Sequence, residues 1–394
     1  MRILIISFYY EPDLSAGSFR TASFVRELRS CLSGDDTIDI VTTLPNRYRS
    51  FTVDAEEYKS QNGITIKRIR LPGHKSGFFD QAFAFLTYFW KTLRYVKGKR
   101  YDIVFATSSR LFSAFLGAVI ARQKKIPLYL DVRDIFVDTM KSILKTSKLQ
   151  LLIPLFSFVE AFTMTNADRI NLVSKGFLPY FERKYKKGVF TFFPNGVDDE
   201  FLDFNCNPRR EMAPNRELIL TYTGNIGEGQ GLEKIVPKIA QKYKNIEFRI
   251  IGDGGRKEIL KKQISSLKNV KLLDPVGRRE LVKFYEESDI LFLHLNQYEA
   301  FKKVLPSKIF EYAATYKPIV AGVDGYAREF FETFLPGCLV FKPLDFDDFC
   351  NKFSDFTGKV DLEKRKDFIT RFSRHSIMAE MAKDFMKVIS EPVS

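Results

Sequence analysis

The sequence predicts an α/β protein built from two Rossmann-like halves, and three observations carry that expectation. Short apolar runs alternate with longer stretches of helical period; a series of such runs occurs twice; and a polar stretch at 205–215 separates the two series. Alternation of this kind marks a parallel sheet covered by helices on both faces.

In the first series, residues 2–7, 38–42, 103–107, 127–130 and 169–173 read as strands. In the second, residues 218–223, 247–251, 270–272, 290–295, 318–321 and 339–341 do so. The stretch at 205–215 is rich in Pro, Asn and charge and has no apolar period, so it reads as a linker. Ile377, Met381, Phe385 and Val388 recur at helical spacing near the C-terminus. The expected organisation is a first domain at 1–204, a linker at 205–216, a second domain at 217–373, and a C-terminal helix at 374–394 packing back on the first.

A chain of 394 residues is too long for one ordinary core and suits two domains. Its 62 Lys and Arg against 48 Asp and Glu give a formal charge of +14, which favours an anionic partner without choosing among phosphate, nucleic acid and acidic lipid. Cys31, Cys206, Cys338 and Cys350 are scattered without C-x-x-C pairing, so neither a zinc site nor a disulfide framework is expected, and a reducing cytoplasm fits. The N-terminal apolar run ends in Glu11 and Pro12 and reads as a buried strand, not a signal peptide. No run approaches the roughly 18–20 apolar residues that span a bilayer, so any membrane association is expected to be peripheral.

Chemistry concentrates at the turns after strands. After the first strand, Ser15, Ala16, Gly17 and Ser18 precede a helix, and Gly17 would let backbone approach a phosphate. The alternative is an ordinary turn with Arg20 solvated on the helix. The second half places Gly224, Gly227, Gly229 and Gly231 after one strand and Gly252, Gly254 and Gly255 after the next, a pair of loops suited to a nucleotide. Neither G-x-G-x-x-G nor G-x-x-x-x-G-K-[ST] occurs, so NAD binding and P-loop hydrolysis lose their usual support.

The strongest local signal is VLPSKIFEYAATYKPIVAG. Pro306 suits a first helical turn, and Leu305, Pro306, Ser307 and Lys308 would form a helix start that attracts an anion. Lys308 and Glu311, three apart, share a face; a lysine compensates diphosphate charge and a carboxylate accepts two hydrogen bonds from a ribose diol. The alternative is an exposed ion pair worth a few tenths of a kcal/mol.

These motifs in order, SFYYEPDLSAGSFR, LDVRDIF, TYTGNIGEGQGLE, IIGDGG, PVGRRELVKFYEESDILFL and LPSKIFEYAATYKPIV, resemble the retaining GT-B glycosyltransferases of family 4. The likeness is greatest to bacterial O-antigen and capsule enzymes resembling L-fucosamine transferases. The resemblance implies the GT-B fold, two Rossmann-like domains facing each other across a cleft, the first binding the acceptor and the second the nucleotide sugar. It implies that Glu311 binds the ribose, that the helix start from Leu305 to Lys308 holds the diphosphate, and that Gly17 closes over it. It puts the base near Gly252, Gly254, Val276 and Arg278.

Some positions depart from the family. Lys303 stands at the first of two glutamates seen in many relatives, Asn225 and Gln230 stand where Arg and Lys are frequent, and Arg133–Asp134 replaces a frequent His–Asp. Breaking the bond to diphosphate needs cations on the leaving group. Arg20, Lys308 and Lys303 are the candidates, while Asp134 would orient the acceptor or act as base. No Asp-x-Asp cluster suggests a metal, and none is expected.

The resemblance further implies a hexosyltransferase moving an N-acetylated 6-deoxyhexosamine, such as N-acetyl-L-fucosamine, from a UDP-sugar to a polyprenyl-diphosphate-linked saccharide. No separate cofactor is expected. The segment SGFFDQAFAFLTYFWKTLRYVKGKR joins an aromatic helical pattern to Lys91, Arg94, Lys97, Lys99 and Arg100, and 149–163 adds a second apolar patch. Such a face can attract anionic lipid at the cytoplasmic side of a membrane; the alternative is a helix packed on the sheet with a basic end in water. A GT-B nucleotide-sugar epimerase and a non-catalytic nucleotide-sugar-binding protein are the competing readings. Nucleic-acid binding finds no helix-turn-helix, zinc-finger or RNP pattern.

Overall fold

A computed structural model describes residues 1–46, 54–72, 78–108, 111–143, 148–202 and 217–390. They form two compact units: one gathers the described residues up to Pro194 and those from His375 onward, and the other runs from Asn195 to Arg374. Residues 195–202, which composition places in the first domain, therefore pack with the second. The linker expected at 205–216 lies outside the described residues.

The first unit is built on an eight-stranded sheet. Its strands are β1 (Arg2–Ile6), β2 (Thr37–Thr43), β3 (Tyr58–Gln61), β4 (Ile64–Ile69), β5 (Ile103–Thr107), β6 (Leu128–Val132), β7 (Arg169–Leu172) and β8 (Phe190–Thr191), in the order β3-β4-β2-β1-β5-β6-β7-β8. All pairs are parallel except β3 with β4. That pair is a hairpin turning at Asn62 and Gly63, whose φ values of 51° and 75° fit the Asn-Gly turn of a tight hairpin. β1, β5 and β6 are buried along nearly their whole length because helices cover both faces of the sheet.

Strand order reverses between β1 and β5, so the crevice of this sheet lies at their carboxyl ends, where helix α1 (Ala16–Ser30) begins. Helices α2 (Phe78–Val96), α3 (Leu111–Lys124), α4 (Phe136–Ile143), α5 (Ile153–Thr165) and α6 (Leu178–Lys184) follow. The C-terminal helix, Arg374–Ser390, buries Met378, Met381, Ala382, Phe385 and Val388 against this unit. Phe385 meets Phe24, Phe105 and Tyr129 at ring distances of 5.6, 6.2 and 5.5 Å. Each such large apolar side chain contributes roughly 1.5–3 kcal/mol on full burial.

The second unit has a wholly parallel six-stranded sheet: β9 (Leu218–Asn225), β10 (Ile246–Asp253), β11 (Val270–Leu273), β12 (Ile290–His294), β13 (Ile319–Gly322) and β14 (Leu339–Phe341). The order is β11-β10-β9-β12-β13-β14, so its reversal falls between β9 and β12. Helices α7 (Leu232–Lys242), α8 (Lys257–Gln263), α9 (Arg278–Glu287), α10 (Lys308–Ala314), α11 (Tyr326–Phe334), α12 (Phe346–Ser354) and α13 (Leu362–Arg371) complete it.

Candidate nucleotide-sugar site

The carboxyl ends of β9 and β10 are held unusually close. Gly252 pairs in register with Gly224, and a Cβ on Gly252 would stand 1.8 Å from the Gly224 carbonyl oxygen, so only glycine fits. Beyond it, a Cβ on Gly254 would meet the Ile226 carbonyl at 2.5 Å. The two glycine loops recognised in the sequence thus form one packed backbone surface beside the switch point.

Lys308 and Glu311 come from the other side of that switch point, on the first turn of α10. The Lys308 ammonium lies 2.7 Å from Glu311 Oε2, and its side chain crosses the end of β9 above Gly224. This is not an isolated surface pair. The Tyr285 hydroxyl, from α9, donates to Glu311 Oε2 at 3.2 Å and lies 3.4 Å from Lys308 Nζ and 2.8 Å from Thr223 Oγ1. Thr223 continues the chain to the Tyr312 hydroxyl, which accepts from the Thr223 N–H at 3.1 Å. Tyr285 and Tyr312 are wholly buried and Glu311 nearly so. Burial, reinforced by the Glu311 charge, holds the Tyr285 phenol well above its ordinary pKa, so it remains a donor. Leu305 is buried, while Pro306 and Ser307 are half-exposed before α10.

Thr223, Tyr285 and Tyr312 were not legible as site residues, because apolar strand and helix patterns absorb all three as core. Tyr285 sits in a KFYEES run, where nothing local shows that its hydroxyl faces Glu311, 26 residues away.

Arg278, expected near the base, begins α9 and is held by acidic partners. Its guanidinium pairs with Asp198 and, at 2.7 Å, with Glu200, and stacks 5.3 Å from the Phe201 ring. Burial opposes its charge, but Asp198, Glu311 and Glu200 together outweigh burial and raise its pKa. The neighbouring Val276 is half-exposed and carries no charge. Asn225 is occupied as well: its Nδ2 donates to Gln230 Oε1 at 2.8 Å, so two residues at positions of frequent cations bind each other.

Lys303 is half-exposed at the end of a 3-10 turn, Glu299–Lys303.

In the first unit, Arg20 corrects the expectation of a diphosphate-binding cation. It is 1% exposed and grips Asp131 through two 2.9 Å hydrogen bonds. Its remaining donors reach the carbonyls of Pro194 and Phe193 at 2.6 and 2.7 Å. Asn171 Nδ2 adds a bond to Asp131 at 2.7 Å. Burial favours neutral Asp131, yet Arg20 prevails and holds its pKa below the usual carboxylate value. Arg20 therefore braces the strand ends from within.

Gly17 is buried in the first turn of α1, where the Ser15 side chain already caps the Ser18 N–H at 3.1 Å. Asp134 follows β6; solvent reaches the residue, but protein surrounds its carboxyl closely. Desolvation by surrounding protein, opposed by the Ile135 N–H, raises its pKa from 3.8 to about 6. Among the described residues, no group of three or more His, Cys, Asp or Glu could hold a metal ion.

Two Rossmann-like units, each with a switch point and the second with glycine turns and a buried carboxylate–lysine network there, define the GT-B class of nucleotide-sugar enzymes. Residues 20–196 match the family described as glycosyl transferase 4-like domain, and residues 218–357 match glycosyl transferases group 1. The chain belongs to the GT-B glycosyltransferases of this family 4-like type.

It is 24% identical over 377 residues to the putative colanic acid biosynthesis glycosyl transferase WcaI of Escherichia coli, across 86% of this chain and 88% of that protein. Sucrose-phosphate synthase from Thermosynechococcus elongatus shares the fold with a TM-score of 0.75 at 15% identity, covering 99% of each chain. HepE of Anabaena, in complex with UDP and glucose, gives 0.68 at 15% identity, covering 98% of this chain and 99% of that one.

Proposed function

We propose that this glycosyltransferase takes a UDP-linked donor and moves its sugar, an N-acetylated 6-deoxyhexosamine such as N-acetyl-L-fucosamine, onto a polyprenyl-diphosphate-linked saccharide. The product belongs to a bacterial surface polysaccharide, an O-antigen or capsule. The observation that carries the donor half is the Lys308–Glu311–Tyr285 network at the β9/β12 switch point. Glu311 is fixed by Tyr285 and balanced by Lys308; a ribose diol then takes hydrogen bonds on Glu311, while Lys308 turns to the diphosphate and meets the charge that builds as the sugar leaves.

The amides around Ser307 and the glycine surface of Gly224, Gly252 and Gly254 complete the donor cradle. Asp134 serves the acceptor hydroxyl, as its orienter or base. HepE with UDP and with UDP-glucose, and WcaI by its colanic acid role, support the class of donor and pathway.

The reading also includes work at the cytoplasmic face of an anionic membrane. Phe83, Leu86 and Trp90 project from one face of α2, with Trp90 66% exposed, and Leu151, Leu155 and Phe158 are exposed around the start of α5. Lys91, Arg94, Lys97 and Arg100 stand exposed beside the first group. Among the described residues no helix is long and apolar enough to cross a membrane.

The test is transfer. Purified protein, a panel of UDP- and GDP-linked N-acetylhexosamines and a polyprenyl-diphosphate saccharide should yield free UDP together with a lipid-linked product one sugar heavier. Release of UDP with no glycosylated lipid, or turnover only of GDP-sugars, would contradict the reading.

A further inference from the structure

The second unit holds another concavity, apart from the Lys308–Glu311 network. A cleft of about 660 Å³ opens at the carboxyl ends of β12, β13 and β14. Strand order places it on the far side of β12 from β9 and β10, beside the switch point and not in it. Its volume lies within the roughly 300–1,000 Å³ of small-molecule sites.

Its walls are fixed from beneath. His294 is 1% exposed; its Nδ1 lies 2.6 Å from the Gln230 carbonyl oxygen, and its Nε2 accepts from the Leu344 N–H at 3.1 Å. Desolvation holds the ring's pKa down to about 4, and the two bonds assign a neutral ring with the proton on Nδ1. One side chain thus pins the turns after β9 and β14. The turn after β13 is pressed equally close, since a Cβ on Gly325 would stand 2.2 Å from the Lys302 carbonyl oxygen.

The lining mixes three chemistries. Phe301 supplies a ring face, Asp324 and Asp345 supply carboxylates, and Lys302, Arg328 and Lys342 supply cations. Lys302 is committed to Glu299 at 2.7 Å. Arg328 is not tightly held: Asp324 is 3.7 Å from its Nε, and its hydrogen bond to the Val323 carbonyl is 3.4 Å long. Among the described residues the Lys342 ammonium makes no hydrogen bond. Asp345 lines the cleft and uses Oδ1 to cap the Asp348 N–H at 2.9 Å.

We propose that this cleft binds an acidic saccharide, a glycan segment carrying a uronate. Arg328 and Lys342 take the sugar carboxylate, Asp324 and Asp345 accept hydrogen bonds from its hydroxyls, and Phe301 lies against a sugar face. A free phosphate dianion meets two aspartates there, and a neutral sugar offers Arg328 and Lys342 no counter-charge. The site stands independently of the nucleotide reading, because none of its lining residues belongs to that network.

The experiment is calorimetric titration of the whole chain, without nucleotide, by three probes: a tetrasaccharide alternating glucuronate and N-acetylglucosamine, neutral maltotetraose, and inorganic phosphate. The uronate probe should bind at least tenfold more tightly than either other probe. Lys342→Glu, at an exposed position, and the double variant Arg328→Gln/Lys342→Gln should each weaken it at least tenfold and leave UDP affinity within twofold of wild type. Absence of uronate binding, equal binding of maltotetraose or phosphate, or unchanged affinity in both variants would overturn the proposal. Failure of UDP to bind the wild-type protein would instead count against the donor reading alone.

Discussion

Replacing Tyr285 by phenylalanine removes one oxygen that lies 2.8 Å from Thr223 Oγ1, 3.2 Å from Glu311 Oε2 and 3.4 Å from Lys308 Nζ. If Tyr285 holds Glu311 in its ligand-binding position, the lost bond is one to a charged group, worth about 1.5–3 kcal/mol. The 3.2 Å length argues for the lower end, and 1.4 kcal/mol is tenfold, so the Kd for UDP should rise roughly tenfold. Folding should lose only about 1 kcal/mol, because Thr223 keeps Tyr312 as a partner.

The control is Tyr312→Phe, which breaks the far end of the same network without touching Glu311. It should lower stability by a similar amount and leave UDP affinity near wild type. Calorimetric titration with UDP and thermal unfolding of both variants separate the cases. Wild-type affinity in Tyr285→Phe, or an equal loss in Tyr312→Phe, would refute a positioning role for Tyr285.

Arg20→Ala should destabilise the first unit by about 3–5 kcal/mol, since it strands a buried carboxylate, and thermal unfolding would show it. The partner Asp131 has a folded pKa below its unfolded value, so its contribution is present above about pH 4 and is lost as pH falls through the folded value; the unfolding temperature should drop in acid, and less so in Arg20→Ala. Asp134 has its pKa raised to about 6, so if it is the base, kcat/KM for the acceptor should climb through pH 6 to a plateau, and Asp134→Asn should abolish that limb. Trp90→Glu on the exposed face of α2 should reduce sedimentation with phosphatidylglycerol vesicles at least tenfold while UDP affinity stays unchanged.

Strands with unbroken apolar runs were legible because both faces of a covered parallel sheet must be apolar. β5 and β14 have the bounds the sequence suggests, and β1, β2, β6, β7 and β9 to β13 differ at their ends by a residue or two. β3, β4 and β8 were not read, because β3 is exposed throughout, β4 carries Lys67 and Arg68 within its run, and β8 is only two residues long. The one clear local signal of β3 and β4 is the Asn62-Gly63 turn.

The site divides along a similar line. Lys308 and Glu311 are neighbours in sequence and on the helix, so their pairing follows from spacing. Arg20 finds Asp131 at a separation of 111 residues, and a single sequence shows nothing of that partner. Asn225 and Gln230 are five apart within a loop whose curvature, set by the glycines, brings them together. Arg278 reads as an exposed cation at a helix start until residues 198 and 200 fold against it.

The most direct test of the central claim is calorimetric titration of wild type and Glu311→Ala with UDP, GDP, ADP and dTDP, without added metal. Micromolar binding of UDP to wild type, weakened at least tenfold in Glu311→Ala, is the predicted result. Equal UDP affinity in the two proteins, or no binding of any nucleotide to wild type, would contradict the account.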